Sequence, residues 1–348
     1  MSSLPTIPGI TDLGHAVHGE SARRGLAASH RWRTWEWGVW AVALAAAFLT
    51  TRHASLLNEI AILALFAVSL DLILGLAGIV SLGHAAFFGL GAYTAALFAK
   101  HLHADPLLGL VVAAAAAALL GALTSVLVLR GSDLTRLMVT LGIALILFEL
   151  ANKLDWLTGG ADGLQGVVMK PLLGRFEFDL AGRTAYAYSL TVLFVLFLLA
   201  RRLAASNFGM SLRAIRDNRL RAGAIGIDAN RRLAAVYVIA GAYAGVAGAL
   251  LAQTTGFASL DVLDFHRSAD VLLVLVIGGT GYLYGGVFGA IAFKLMHDGL
   301  SAVTPQYWQF WMGLILVVFV MMGRQTIIGW LIRQLQRPSR RWLPGGRA

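Results

Sequence analysis

Residues Arg201–Arg232 read RRLAASNFGMSLRAIRDNRLRAGAIGIDANRR, placing eight arginines in 32 positions of a chain whose charged fraction is only 13%. Uncharged hydrophobic runs flank the stretch, Thr184–Ala200 before it and Leu233–Leu260 after it. A basic segment between two such runs stays on the cytoplasmic side, because translocating arginine is unfavourable. It is also too long and too patterned for a simple turn. The stretch thus marks a polytopic membrane protein and orients it.

The composition agrees. The chain has 348 residues, is 58% hydrophobic, has a mean hydropathy of +0.74 and contains 39 glycines. A soluble chain of this size needs far more charge to cover its surface. Glycine is common where spanning helices approach closely. The net charge of +10 sits mostly in three places: four arginines before residue 34, eight in the central loop and six from Arg324 onward. Topology control explains that distribution without a nucleic-acid partner. No cysteine is present, which excludes disulfides and cysteine-ligated metals. Residues 1–33 lack the apolar core of a signal peptide and are expected to be a disordered cytoplasmic tail.

Outward from the loop, the expected spans are Trp35–Thr51, Glu59–Leu74, a glycine-broken junction leading into a third span that ends near Ala99, Leu107–Leu129, Leu134–Leu150 and Thr184–Ala200. After the loop come Leu233–Gln253, a glycine-interrupted stretch over 266–298, and Trp308–Gly323. Both tails and the loop belong in the cytoplasm, so each half needs an even number of crossings. Reading 266–298 as two short spans satisfies this and predicts an all-α protein of about ten transmembrane helices. Its expected parts are a tail over 1–33, a transmembrane domain over 34–332 and a basic tail over 333–348. Leaving out the first and sixth spans gives two sets of four that enter from opposite sides, the topology of an inverted repeat.

Three segments carry chemistry. Ser211–Ile225 is expected to form one amphipathic helix, with Leu212, Ile215, Leu220 and Ile225 on the apolar face and Arg213, Arg216, Arg219 and Arg221 beside it. Gly226 ends it and Asp228 caps the next helix. A plain basic loop on lipid headgroups is the simpler alternative. Ser81, Gly83 and His84 follow a helix break, where a helix start with free N–H groups favours an anion such as a carboxylate. The alternative there is close packing by glycine with a structural histidine. The third segment is the glycine run from Gly278 to Gly289. Asp71, Glu59, Glu149 and Asp270 lie in or near spans, where an ionisable group is costly and marks function by default. Asp71 is the deepest; Glu59 and Glu149 sit near span ends. Asp264 to Arg267 reads as a solvated outer junction, and His101, His103 and Asp105 as a weak metal candidate. None of the four lysines follows the glycine of a P-loop, and neither a G-x-S-x-G elbow nor an H-E-x-x-H pair occurs.

SLGHAAFFGLGAYTAAL at Ser81–Leu97, LRAIRDNRLRAGAIGID at Leu212–Asp228 and VIGGTGYLYGGVFGA at Val276–Ala290 together resemble the LivM-type permeases of branched-chain amino acid ABC importers. The resemblance covers roughly residues 35 to 330. It implies an ABC importer permease fold in a bacterial inner membrane, with no catalytic residue, metal or cofactor in this chain. It also implies a LivH-like second permease, two ABC ATPase subunits, a periplasmic substrate-binding protein and surrounding lipid as partners. On that resemblance Asp71, Ser81, Gly83, His84 and Tyr93 are expected along the substrate pathway. Leu212, Arg213, Ile215, Arg216, Asp217, Asn218, Ala222 and Gly226 are expected to couple to the ATPase. Gly278, Gly279, Gly281, Gly285 and Gly289 form the helix break. Permeases for urea and short amides share much of the first motif. Rival classes are a proton-coupled secondary transporter using Asp71 or Glu149, and a membrane-embedded enzyme or scaffold.

Overall fold

With no water to satisfy peptide groups inside a bilayer, the apolar runs must be helical or form a closed barrel. The computed structural model describes residues 34–49, 53–172, 174, 176–177 and 182–322, and the runs within them are helices. The tails expected at 1–33 and 333–348 lie outside these residues. In chain order, apart from a single helical turn at Asp155–Thr158, the α-helices are α1 (Thr34–Leu49), α2 (Ala54–Ala77), α3 (Ala85–His101), α4 (Pro106–Val128), α5 (Asp133–Lys153) and α6 (Arg183–Ala205). There follow α7 (Asn207–Asp217), α8 (Arg219–Ala224), α9 (Ala229–Thr255), α10 (Phe265–Gly278), α11 (Leu283–Val303) and α12 (Trp308–Met322). Five of them, α2, α4, α5, α6 and α9, are long and apolar enough to cross a membrane. Helices α10 and α11 meet at 111° across a short break and add a sixth span if taken together.

The helix ends fall within a few residues of the expected spans, and two differences have clear causes. Helix α2 starts at Ala54 and not at Glu59, because Asn58 is accommodated inside it: its Nδ2 donates to Thr254 Oγ1 of α9 at 3.0 Å. Helix α6 runs on through Arg201 and Arg202 to Ala205. Arg201 forms an ion pair with Glu36 of α1, so the charge that was expected to end the span holds two helices together.

Helices α2 and α9 form the centre. In their most apolar stretches 83% and 72% of residues are buried, against 22–33% in α4, α5 and α6. Helix α2 is apolar on every side, as a central helix should be. Helix α9 is smooth, and backbones reach it through glycines. Gly91 of α3 lies on the backbone of Gly245, and Gly248 lies on the carbonyl of Phe88. Gly241 and Gly245 face Ala117 and Ala113 of α4. Polar ties close the same bundle: Tyr188 Oη donates to Gln253 Oε1 at 2.9 Å, and Gln253 Nε2 donates to the Pro106 carbonyl at 2.9 Å. The connections after α5 and after α9 are zipped by an antiparallel bridge between Leu164 and Ala258.

Candidate functional site

The arginine-rich loop is ordered, but it is two helices where one was expected. Asn218 leaves the helical region, with φ −160° and ψ 104°, and divides α7 from α8. Its Oδ1 accepts the Arg221 N–H at 2.9 Å, so the residue that ends one helix caps the next. The break also divides the expected apolar face. Leu212 and Ile215 are buried within this chain, as is Ala222, whereas Leu220 is 87% and Ile225 75% exposed. The inner face of α7 packs against α2, α6 and α9. Arg213 on α7 and Arg219 and Arg221 on α8 remain exposed, and Arg219 donates to Asn230 at 2.6 Å. Gly226, at φ +86°, turns the chain out of α8, and Asp228 caps α9 through the Arg231 N–H at 3.1 Å.

Arg216 does not extend away from the bundle. Its Nη1 donates to the Gly75 carbonyl near the end of α2, and its stem crosses Gly78, where an added Cβ would come within 2.6 Å of Cγ. The last carbonyls of a helix lack intrahelical partners and carry its negative end, which draws a guanidinium inward. Gly78, at φ +72°, ends α2 and opens this path. One turn earlier, buried Asp71 accepts the Gly281 N–H on Oδ1 at 2.7 Å. Gly75 has room for no side chain, since a Cβ there would come within 2.6 Å of the Gly281 nitrogen. Gly279 and Gly281, at φ +93° and +81°, make the turn between α10 and α11. Gly278, Gly285 and Gly289 let those two helices touch backbone to backbone. Asp71, Arg216 and the glycine break were separate motifs in the sequence; in the fold they are neighbours.

Ser81, Gly83 and His84 lie in the non-helical segment before α3. The free helix start expected there is already filled. Ala85 N–H donates to Ser268 Oγ at 2.9 Å, Leu82 N–H to Thr140 Oγ1 at 3.3 Å, and the Ala86 and Phe87 N–H groups to Gly83 and His84 carbonyls. Gly83 packs on the Thr140 carbonyl. The carboxylate seat is therefore occupied by the protein's own hydroxyls. His84 is fully buried, stacked on Phe66 at 5.4 Å, with Nε2 2.8 Å from Ser69 Oγ. The one proton of Ser69 Oγ goes to the Phe66 carbonyl at 2.6 Å, which can only accept. The network so assigns the His84 proton to Nε2 and leaves Nδ1 as a lone-pair acceptor. That Nδ1, Ser81 Oγ and Tyr93 Oη are buried without a hydrogen-bond partner.

Two of the other polar candidates cap helices and one forms an ion pair. Asp105 caps α4 through the Leu107 and Leu108 N–H groups. Glu59 pairs with Lys294 at 2.6 Å, which also reaches Asp298 at 3.1 Å. Glu149 is exposed on α5, and Asp270 is half-buried on α10. Asp264 caps α10, and the His266 N–H on its carboxylate holds its pKa below the ordinary value. That cap is thus intact above about pH 3.8 and is lost only as pH falls through the lowered value.

An almost wholly helical bundle with central apolar helices, a broken helix pair and an ordered basic loop defines a polytopic integral membrane protein. The chain belongs to the family of permease components of branched-chain amino acid transport systems, whose model matches residues 53–321. It is 29% identical over 297 residues to the high-affinity branched-chain amino acid transport system permease protein LivM of Salmonella typhimurium, covering 78% of this chain and 68% of that one. To the LivM protein of Escherichia coli it is 30% identical over 259 residues, covering 66% of this chain and 60% of that one. The xylose transport system permease protein XylH of Escherichia coli matches at 32% over 127 residues, 34% of this chain and 32% of its own length. No solved structure is significantly similar.

Proposed function

We propose that this chain is a transmembrane permease subunit of an ABC importer in a bacterial inner membrane, carrying branched-chain or related amino acids while separate subunits hydrolyse ATP. Its partners on this reading are a LivH-like second permease, two ATPases and a periplasmic binding protein. The observation that carries it is the loop. One face of α7 is built into the bundle, while Leu220 on α8 and Ile225 at its end stay exposed in an arginine-rich segment. Exposed apolar side chains on a charged segment mark a partner surface. The mechanism is alternating access: ATPase closure moves the loop, and the helices behind it open the pathway to the other side. Residues 201–232 are cytoplasmic in this scheme.

The solute class rests on the LivM relatives, since a shorter stretch also matches a permease named for xylose. Ser81 Oγ, His84 Nδ1 and Tyr93 Oη support a pathway near the α2–α3 break, because buried polar atoms left unpaired are costly and are satisfied by water or a passing solute. His84 Nδ1 is an acceptor, so it suits an ammonium or hydroxyl donor and not a carboxylate. The test is uptake of labelled leucine into proteoliposomes holding the permease pair, ATPases and binding protein. ATP-dependent uptake is expected. Uptake without ATPases that collapses with the proton gradient would instead establish a secondary transporter.

Topology has its own check in this cysteine-free chain. Gly223→Cys, in open space on α8, is expected to react with impermeant thiol reagents only from the cytoplasmic side. Val168→Cys, on the exposed connection before α6, should react only from outside. Reversed labelling at either position overturns the ten-crossing scheme.

A further inference from the structure

We propose that Arg216 and Asp71 are positioning residues that link the cytoplasmic loop to the α10–α11 hinge; the proposal rests on the loop receiving motion from an ATPase. Three segments distant in sequence converge at one point. Arg216 comes from α7, residues 71–78 from the end of α2, and Gly281 from the hinge turn. Arg216 is attached to α2 twice, by its hydrogen bond to the Gly75 carbonyl and by its stem against Gly78. The guanidinium is also close to the hinge, with Nη1 3.8 Å from where a Gly281 Cβ would lie. From the α2 side, Asp71 holds a backbone donor of the turn, the Gly281 N–H at 2.7 Å.

The pieces differ in stiffness. Helix α7 and the end of α2 are packed and helical, so they move as bodies. The hinge has two glycines at positive φ, a region that costs glycine little and other residues much. Displacement of α7 therefore pulls on the end of α2 through Arg216, and Asp71 passes it to the most deformable backbone in contact. Gly75 is needed for the transfer, because any side chain there would separate α2 from the turn. Arg216 thus acts through contacts within the permease, while Leu220, Ile225, Arg213, Arg219 and Arg221 are exposed for the partner.

The experiment measures amide hydrogen exchange over residues 276–290, ATP hydrolysis and leucine uptake in the full complex in lipid nanodiscs or proteoliposomes. In wild type, ATP is expected to change exchange at the hinge turn. Arg216→Ala should keep the ATPases bound and hydrolysing, lower uptake at least about ten-fold, and abolish the ATP-dependent change in exchange. Asp71→Leu should speed exchange at Gly281 without ATP by about ten-fold or more, and Asp71→Asn, whose amide oxygen still accepts, should restore slow exchange. Uptake and ATP-dependent exchange at wild-type levels in Arg216→Ala would overturn the linkage. So would wild-type uptake with no ATP effect at the hinge, an outcome that leaves the importer reading standing. Absence of ATP-dependent uptake in wild type removes the importer reading itself, and the linkage with it.

Discussion

Gly248→Ala and Gly91→Ala, each adding a single methyl group, are expected to remove the folded permease from detergent extracts. Gly142→Ala should leave yield and melting temperature at or above wild type. Within a helix, glycine is less favourable than alanine by about 0.8–1.0 kcal/mol, so the same substitution normally stabilises. The sign depends on what the methyl meets. At Gly142 nothing lies within 4 Å. At Gly248 it would overlap the Phe88 carbonyl, with the Phe88 carbonyl carbon only 2.7 Å away, and at Gly91 it would overlap the backbone of Gly245. Backbone cannot swing aside as a side chain can, so the whole α3–α9 crossing must open. Overpacking costs about 1–3 kcal/mol even where side chains adjust. Here the opened crossing also lies among α2, α3, α4 and α9, the most tightly associated helices. Fluorescence-detected size exclusion and thermal unfolding of the three variants decide the matter. A normal, monodisperse peak for Gly248→Ala would mean that this crossing is looser than the geometry shows.

Close backbone approach to α9 was open to sequence reading. Gly241-Ala-Tyr-Ala-Gly245 is a small residue pair four apart in an apolar run, the ordinary signature of close helix approach in membranes. The hydropathy of the spans was equally legible, because a bilayer demands long apolar runs whatever the tertiary arrangement. Asp71 was legible as unusual, since a carboxylate deep in a span must have a reason. Its partner was not, because Gly281 lies 210 residues away and offers only a backbone N–H, which every residue but proline carries. Arg216 shows the same limit in reverse. Among eight similar arginines in the loop, nothing local marks the one that reaches the end of α2. That choice is made by a helix end elsewhere in the chain. At Ser81–His84 the helix break was readable, but the hydroxyls of Ser268 and Thr140 that fill it come from other helices.

Leu220→Asp combined with Ile225→Asp is expected to release the ATPase subunits from an otherwise intact permease, while Ile215→Asp should damage the permease itself. Read as one continuous helix, the loop would place Ile215, Leu220 and Ile225 on the same partner face. The division at Asn218 separates them: Ile215 is 5% exposed, whereas Leu220 and Ile225 are among the most exposed large apolar residues described. A carboxylate at 215 enters the packing of α7 against the bundle without a partner, and an uncompensated buried charge is strongly destabilising. At 220 and 225 carboxylates remain in water in the free subunit, so folding is left alone. In the complex the same positions would be desolvated against the ATPase. A buried apolar anchor at an interface contributes about 2 kcal/mol or more, roughly thirty-fold in affinity for each position. Single arginines matter less, since an exposed ion pair is worth about 0–1 kcal/mol. The readouts are co-purification of the ATPase, ATP hydrolysis stimulated by the loaded binding protein, and the melting temperature of the permease alone. The double variant should lose the first two and keep the third, and Ile215→Asp should lose all three. Wild-type co-purification and stimulation in the double variant would mean that α8 does not meet the ATPase. The exposed apolar pair would then have to be explained by lipid, as part of a loop that only anchors the topology.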